Sequence, residues 1–184
     1  MRPTEELSRE HQAILEMIRI LAKMADRLEA GTPVEAGDPK DAVEFIRVFA
    51  DKCHHAKEEG HLFPEMERAG IPRGRGPIAV MLAEHEEGRK HVAAMAGAVR
   101  GVRKGNRRAM AAFAAAARSY GALLTQHIFK EDRILYPMAD NRLSPDQQTS
   151  LEECFAEVEK NIVGEGKHEE FHRLLERLGA AYPS

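Results

Sequence analysis

The sequence predicts an all-α protein: an up-down-up-down antiparallel four-helix bundle with an appended C-terminal helical pair. Three observations predict it. Apolar residues recur at alternating three- and four-residue steps along four long segments, the period of a helix face buried in a bundle. Short Gly- and Pro-bearing connections separate those segments. Aromatic residues make up only 5% of the 184 residues and tryptophan is absent, so the core is built from Leu, Ile, Val, Met and Ala. No alternating strand pattern competes.

The elements follow in order. The first helix carries Ile14, Ile18, Leu21, Ala25 and Leu28 on one seam and stops at Gly31, Thr32 and Pro33. Asp38 is placed as an N-cap with Pro39 at the first helical position of a second helix, whose buried face carries Val43, Ile46, Ala50 and His54. The Gly- and Pro-rich stretch from Ala69 to Pro77 is a connection. The third helix shows Ile78, Met81, His85, Gly88, Val92, Met95, Val99 and Val102, and Gly101 to Gly105 end it. Asn106 caps a fourth, with Met110, Phe113, Ala117, Tyr120, Leu124, His127 and Glu131 on its seam. Ser144-Pro145-Asp146 then starts a helix over about 145–162, and a short one follows Gly164 and Gly166. Residues 1–140 are read as the bundle and 141–184 as an extension packing on it.

Composition excludes several classes of function. Twenty-seven basic against thirty acidic residues leave a formal charge of −3, so no basic field exists for nucleic acid. No apolar run approaches the roughly 20 residues of a membrane span, and no signal peptide opens the chain. Two cysteines, Cys53 and Cys154, lie far apart, which argues against a disulfide framework or a Cys-bound zinc and favours a reducing cytoplasm.

An internal repeat carries the chemistry. The eleven residues from His54 to Pro64 align without gaps on those from His127 to Pro137, both reading His-x-x-Lys-Glu-acid-x-x-Leu-aromatic-Pro at a separation of 73. The pairs Glu10-His11 and Glu84-His85 repeat at a separation of 74. Residues four apart share one helix face about 6 Å apart along the axis, so His54 with Glu58, and His127 with Glu131, can grip one metal centre. In an up-down bundle the early His11 and His85 and the late His54 and His127 reach a similar depth at the same end. A lone seam histidine is ordinarily a hydrogen-bonded core residue. Four histidines and two glutamates on four seams are not, because buried carboxylates without partners each cost several kcal/mol and ligation offsets that cost. The metal ligands are therefore placed at His11, His54, Glu58, His85, His127 and Glu131. His55 and Glu59 form a second His-x-x-x-Glu, but the shifted frame meets Ile128 and Asp132 in the other repeat, so 54/58 is taken and 55/59 is expected to leave the metal unaffected.

Over roughly residues 5–140 the doubled motif resembles the hemerythrin-like, or HHE cation-binding, family. That resemblance implies a non-heme centre of two iron ions, oxo- or hydroxo-bridged, with His11, His54, His85 and His127 as ligands and Glu58 and Glu131 as bridging carboxylates. One departure stands out. The oxygen carriers of the family place a further histidine one turn after the third-helix ligand, and here that position is Arg89, which does not ligate. His91 lies on nearly the opposite face. Two six-coordinate irons then keep about two open positions, one each. The resemblance implies a protein that binds or senses O2 or NO or reacts with peroxide; the alternative is iron storage, donation or iron–sulfur cluster repair. A ferritin-like oxidase is disfavoured, since its doubled Glu-x-x-His is absent.

Other residues carry less. Tyr120, two turns before His127, either supports the ligands or packs in the core. His61 is a surface or core residue, Cys53 a small buried one. Lys57 and Lys130 are placed on the solvated outer face. His168 and His172 form an i, i+4 pair capable of holding a surface metal.

Overall fold

The computed structural model describes residues 1–32, 34–164 and 166–183, apart from the side chains of Ile162, Val163 and His168. All regular structure among the described residues is helical, in six units. α1 is Pro3–Ala30. α2 spans residues 38–68: it opens as α-helix over Asp38–Phe45, widens into π turns at Ile46–His55 and Glu58–Leu62, and closes as α-helix over Phe63–Arg68. α3 is Gly76–Arg103. α4 spans residues 107–142, α-helical over Arg107–Lys130, π-helical over Glu131–Leu135 and α-helical over Tyr136–Arg142. α5 spans residues 145–163, and α6 is Lys167–Ala181.

Most expected boundaries have the expected cause. The Asn106 side chain accepts from the Ala109 N–H, and Ser144 forms a reciprocal cap with Gln147. Asp38 differs. Gly37 is the cap residue, and the Asp38 carboxylate instead accepts from Arg177 at 2.5 Å and from the Tyr182 hydroxyl at 2.8 Å, tying α2 to the end of the chain. A proline inside a helical run ordinarily ends or kinks the helix, yet the chain stays helical past both Pro64 and Pro137. Each follows a π turn, in which the N–H of Phe63 reaches Glu58 O and that of Tyr136 reaches Glu131 O. The wider turn spares the proline ring the clash with the carbonyl four residues back.

α4 packs along both α3 and α1, α2 lies against α1 and α3, the end of α5 sits on the π segment of α2, and α6 lies across α1 and α2. The interior is layered. One apolar cluster contains Met17, Leu21, Met24, Phe45, Met95, Phe113 and Leu124, together with Phe171 and Leu178 of α6. A second contains Leu7, Leu62, Phe63, Met81, Leu135 and Phe155. Along each of the first four helices, the histidines and glutamates of the repeat fall between these clusters. Each fully buried side chain of this size contributes about 1.5–3 kcal/mol, so the two apolar layers clamp the polar one from either side.

Two glycines of α3 should respond oppositely to alanine. A Cβ added at Gly101 would overlap the Cβ of Ala109, where α3 and α4 cross closely, whereas one added at Gly97 meets nothing within 4 Å. Gly97→Ala should raise Tm, consistent with a helix-interior gain of about 0.5–1 kcal/mol, while Gly101→Ala should lower it by an overpacking cost of about 1–3 kcal/mol. Thermal unfolding by circular dichroism reads both, and a stabilised Gly101→Ala would refute the close crossing.

Candidate metal centre

The structure brings the six predicted side chains into one buried layer, each no more than 1% exposed. α1 supplies His11, α2 His54 and Glu58, α3 His85, and α4 His127 and Glu131. The Nε2 atoms of His11 and His54 are 3.1 Å apart, and those of His85 and His127 are 3.0 Å apart. Glu131 lies between the pairs, with Oε2 3.2 Å from His11 Nε2 and Oε1 3.0 Å from His127 Nε2. Glu58 Oε2 lies 3.4 Å from His85 Nε2 and 3.8 Å from His54 Nε2. The two carboxylates thus each touch both pairs.

Proton accounting shows what such a layer needs. Every one of the four imidazoles places Nδ1 against a carboxylate: His11 on Asp132 at 2.9 Å, His54 on Glu10 at 2.7 Å, His85 on Glu59 at 2.7 Å and His127 on Glu84 at 2.9 Å. A neutral imidazole has one N–H, and here Nδ1 donates it. The four Nε2 atoms then converge as lone pairs on one another and on carboxylates. Glu58 Oε2 and both Glu131 oxygens make no hydrogen bond of good geometry despite these short separations. An interior so rich in acceptors requires protons or metal cations. The spacing fits metal. Neighbouring nitrogens about 2.1 Å from one six-coordinate ion stand about 3.0 Å apart, against about 3.4 Å for a tetrahedral ion. Within this layer two groups of side chains could hold an ion: His11, His54 and Glu131; and His55, Glu58, His85 and His127.

The model of the Hemerythrin HHE cation binding domain matches residues 2–139. The chain belongs to this family. Among curated proteins it is similar to the uncharacterized proteins Mb2018 of Mycobacterium bovis and Rv1995 of Mycobacterium tuberculosis, 24% identical to each over 161 residues. That alignment covers 88% of this chain but only 62% of each relative's length. No solved structure matches.

Within this hemerythrin domain the electrostatics divide the histidines. Burial works to lower His11, but the Asp132 and Glu131 carboxylates outweigh it and raise the pKa to about 9. Burial likewise opposes Glu131 and Glu84 at His127, and the carboxylates prevail, to about 10. His54 goes the other way, since burial dominates and holds it at about 3. Glu131, opposed by burial but facing His127 and His11, stays well below the ordinary carboxylate range.

Several residues sit where sequence reasoning did not put them. Lys57 is fully buried instead of solvated, bonded to Glu6, Glu10 and Glu159 at 2.6, 2.6 and 2.7 Å. The third carboxylate comes from the C-terminal extension, which covers this lysine. Its repeat mate Lys130 pairs with Glu84 and stays about one-third exposed. Glu59, outside the expected frame, orients His85. His55 was also set aside by frame, yet it is buried in the second ligand group. Tyr136 was missed: its hydroxyl donates to Glu58 Oε1 at 2.8 Å and its ring stacks on His11. The signal lay in the motif's aromatic position, which is Phe63 in the first repeat. Tyr120 is buried with an unpartnered hydroxyl. Arg89 donates to Asp51, Glu59 and Glu86. Burial pushes the Cys53 thiol up to about 12. His61 and His91 join no ligand group among the described residues, and His172 is exposed with the His168 side chain outside them.

Two outcomes follow. His11 and His127 have folded pKa values above the ordinary 6.5, so their contribution to a metal-free chain is complete below about 6.5 and is lost as pH rises through about 9 and about 10. Bound metal keeps the same imidazoles deprotonated. The Tm of chelator-treated protein should therefore fall between pH 7 and 10 more steeply than that of the loaded protein, and parallel curves would contradict the assignment. Replacing Lys57 by Met leaves three carboxylates facing one another and should cost about 3–5 kcal/mol, whereas Lys130→Met at its half-open pair should cost about 1 kcal/mol or less. Denaturant midpoints of the two variants compare them directly.

Proposed function

We propose that this hemerythrin domain holds two iron ions and binds or senses a small ligand such as O2 or NO, or reacts with peroxide. In this reading His11 and His54 serve one ion, His85 and His127 the other, and Glu58 and Glu131 bridge them. The four long helices form an up-down-up-down antiparallel bundle around the pair, residues 1–140 constituting the metal-binding unit and 141–184 an extension. The observation that carries the reading is the convergence of four imidazole lone pairs with three carboxylate oxygens that lack hydrogen bonds. Two unpaired thiols suit a reducing cytoplasm.

When bound, a pair of irons supplies one-electron redox steps and exchangeable positions for a diatomic ligand. The chain's own groups do the rest. Asp132, Glu10, Glu59 and Glu84 hold the Nδ1 protons, which fixes each tautomer and makes Nε2 a stronger donor. Tyr136 keeps its proton, because burial lifts its hydroxyl well above the usual range, and it spends that proton on Glu58. Leu7, Leu62, Phe63 and Leu135 close one end of the layer against water. A cavity of about 390 Å3, lined by Val92, Tyr120 and His55 among others, approaches the layer between α2 and α3. Small molecules fit such a route, and no helix among those described is long and apolar enough to cross a membrane.

Burial of all six ligands favours ligand binding over iron delivery, which requires ligands that open easily. Protein purified anaerobically should contain two irons per chain, and His54→Ala, Glu58→Ala, His127→Ala and Glu131→Ala should each lose at least half of that iron. Adding NO to the diferrous protein should alter its optical spectrum with the iron retained. Rapid loss of iron to a chelator, with a spectrum indifferent to NO, would replace this reading with iron storage or donation.

A further inference from the structure

We infer that His55 is a fifth imidazole ligand, joining His85 and His127 on one ion, and that Arg89 anchors the carboxylate that orients it. This rests on the di-iron reading above and deepens it. His55 is 4% exposed, and one of its ring nitrogens lies within 4.8 Å of the ligand atoms of Glu58, His85 and His127. Its ring stacks on His85 with centroids 3.8 Å apart and planes at 16°, and it meets His127 edge-on at 6.1 Å. Stacked face to face in this way, the two rings can each bring a nitrogen to the same group of ligand atoms.

The surroundings repeat the pattern of the other four histidines. Asp51 Oδ1 stands 3.4 Å from His55 Nδ1, a long contact but the same atom facing the same kind of group, which leaves Nε2 as the donor. Asp51 is fixed by Arg89 Nε at 2.8 Å, and Arg89 Nη2 holds Glu59, the partner of His85, at 2.6 Å. The residue one turn past His85 thus acts as a positioning residue for two carboxylates behind two imidazoles. A π-helical segment ending at His55 makes this geometrically accessible. With more residues per turn than the 3.6 of an α-helix, consecutive side chains diverge less, and both His54 and His55 reach the interior. The consequence is asymmetry: three histidines on one ion, two on the other, and the ion beside the cavity closed by His55.

His55→Phe keeps the stacked ring and removes the nitrogen. The full chain and this variant are reconstituted anaerobically with Fe(II). Iron content is measured, exchangeable hyperfine-shifted imidazole N–H signals are counted by NMR, and azide is titrated into the oxidised protein. The native chain should show two irons, five N–H signals and one azide per chain; the variant should show two irons, four signals and two azides. Four signals in the native chain would overturn the assignment without any variant, and make His55 a stacking spacer. Unchanged azide stoichiometry in a two-iron variant would overturn it as well. A native chain that does not take up two irons would instead sink the di-iron reading on which the assignment stands.

Discussion

The site depends on one interaction made four times: a carboxylate taking the Nδ1 proton of a buried imidazole. Each pair joins neighbouring helices. Glu10 of α1 orients His54 of α2, Glu59 of α2 orients His85 of α3, Glu84 of α3 orients His127 of α4, and Asp132 of α4 returns to His11 of α1. The cycle closes. A shift of any one helix along its axis misaligns a histidine on another, so the tautomer pattern and the helix register enforce each other.

That cycle explains the motif letter by letter. In Glu-His, the Glu serves the histidine of the next helix and the His faces the centre. In His-x-x-Lys-Glu-acid, the His and Glu face the centre, the acid serves the following Glu-His pair, and the Lys holds the Glu of the preceding one. Lys57 bonds Glu10 and Lys130 bonds Glu84, which places a lysine behind two of the four orienting carboxylates; Arg89 stands behind Glu59, and the Ser8 hydroxyl donates to Asp132. A buried layer of this kind is expensive without such compensation. The two apolar clusters on either side supply the packing that keeps it dry.

The helix seams and the six inward residues were legible because both follow from local periodicity and a repeat. What was not legible came from three other sources. The π turns have no sequence signature of their own, so nothing in the sequence marks the passage of α2 and α4 through Pro64 and Pro137. Lys57 looked solvated because its covering carboxylate, Glu159, lies 102 residues away. Asp38 looked like a cap because Arg177 and Tyr182 are equally remote. His55 was set aside by a symmetry argument, which does not foresee its burial against His85, because the second repeat has Ile128 at that position.

Those differences share a direction. The repeat makes the first and second halves equivalent, yet the chain departs from equivalence at His55 against Ile128, at Phe63 against Tyr136, and in the burial of Lys57 against Lys130. Tyr136 puts the hydroxyl beside His11 and Glu58, while Phe63 merely stacks near His85 at 6.0 Å. On the opposite side, His55, Tyr120 and the Arg89 network crowd the His85–His127 pair next to the cavity. A symmetric frame therefore carries an asymmetric pocket: a proton-holding hydroxyl at one pair and an extra imidazole with an access route at the other. In the proposed reading, two ions held there would differ in ligand field, because His55 closes the one beside the cavity and the open position falls to the His11–His54 side; that inequality comes from the positions at which the two repeats differ, not from the motif they share.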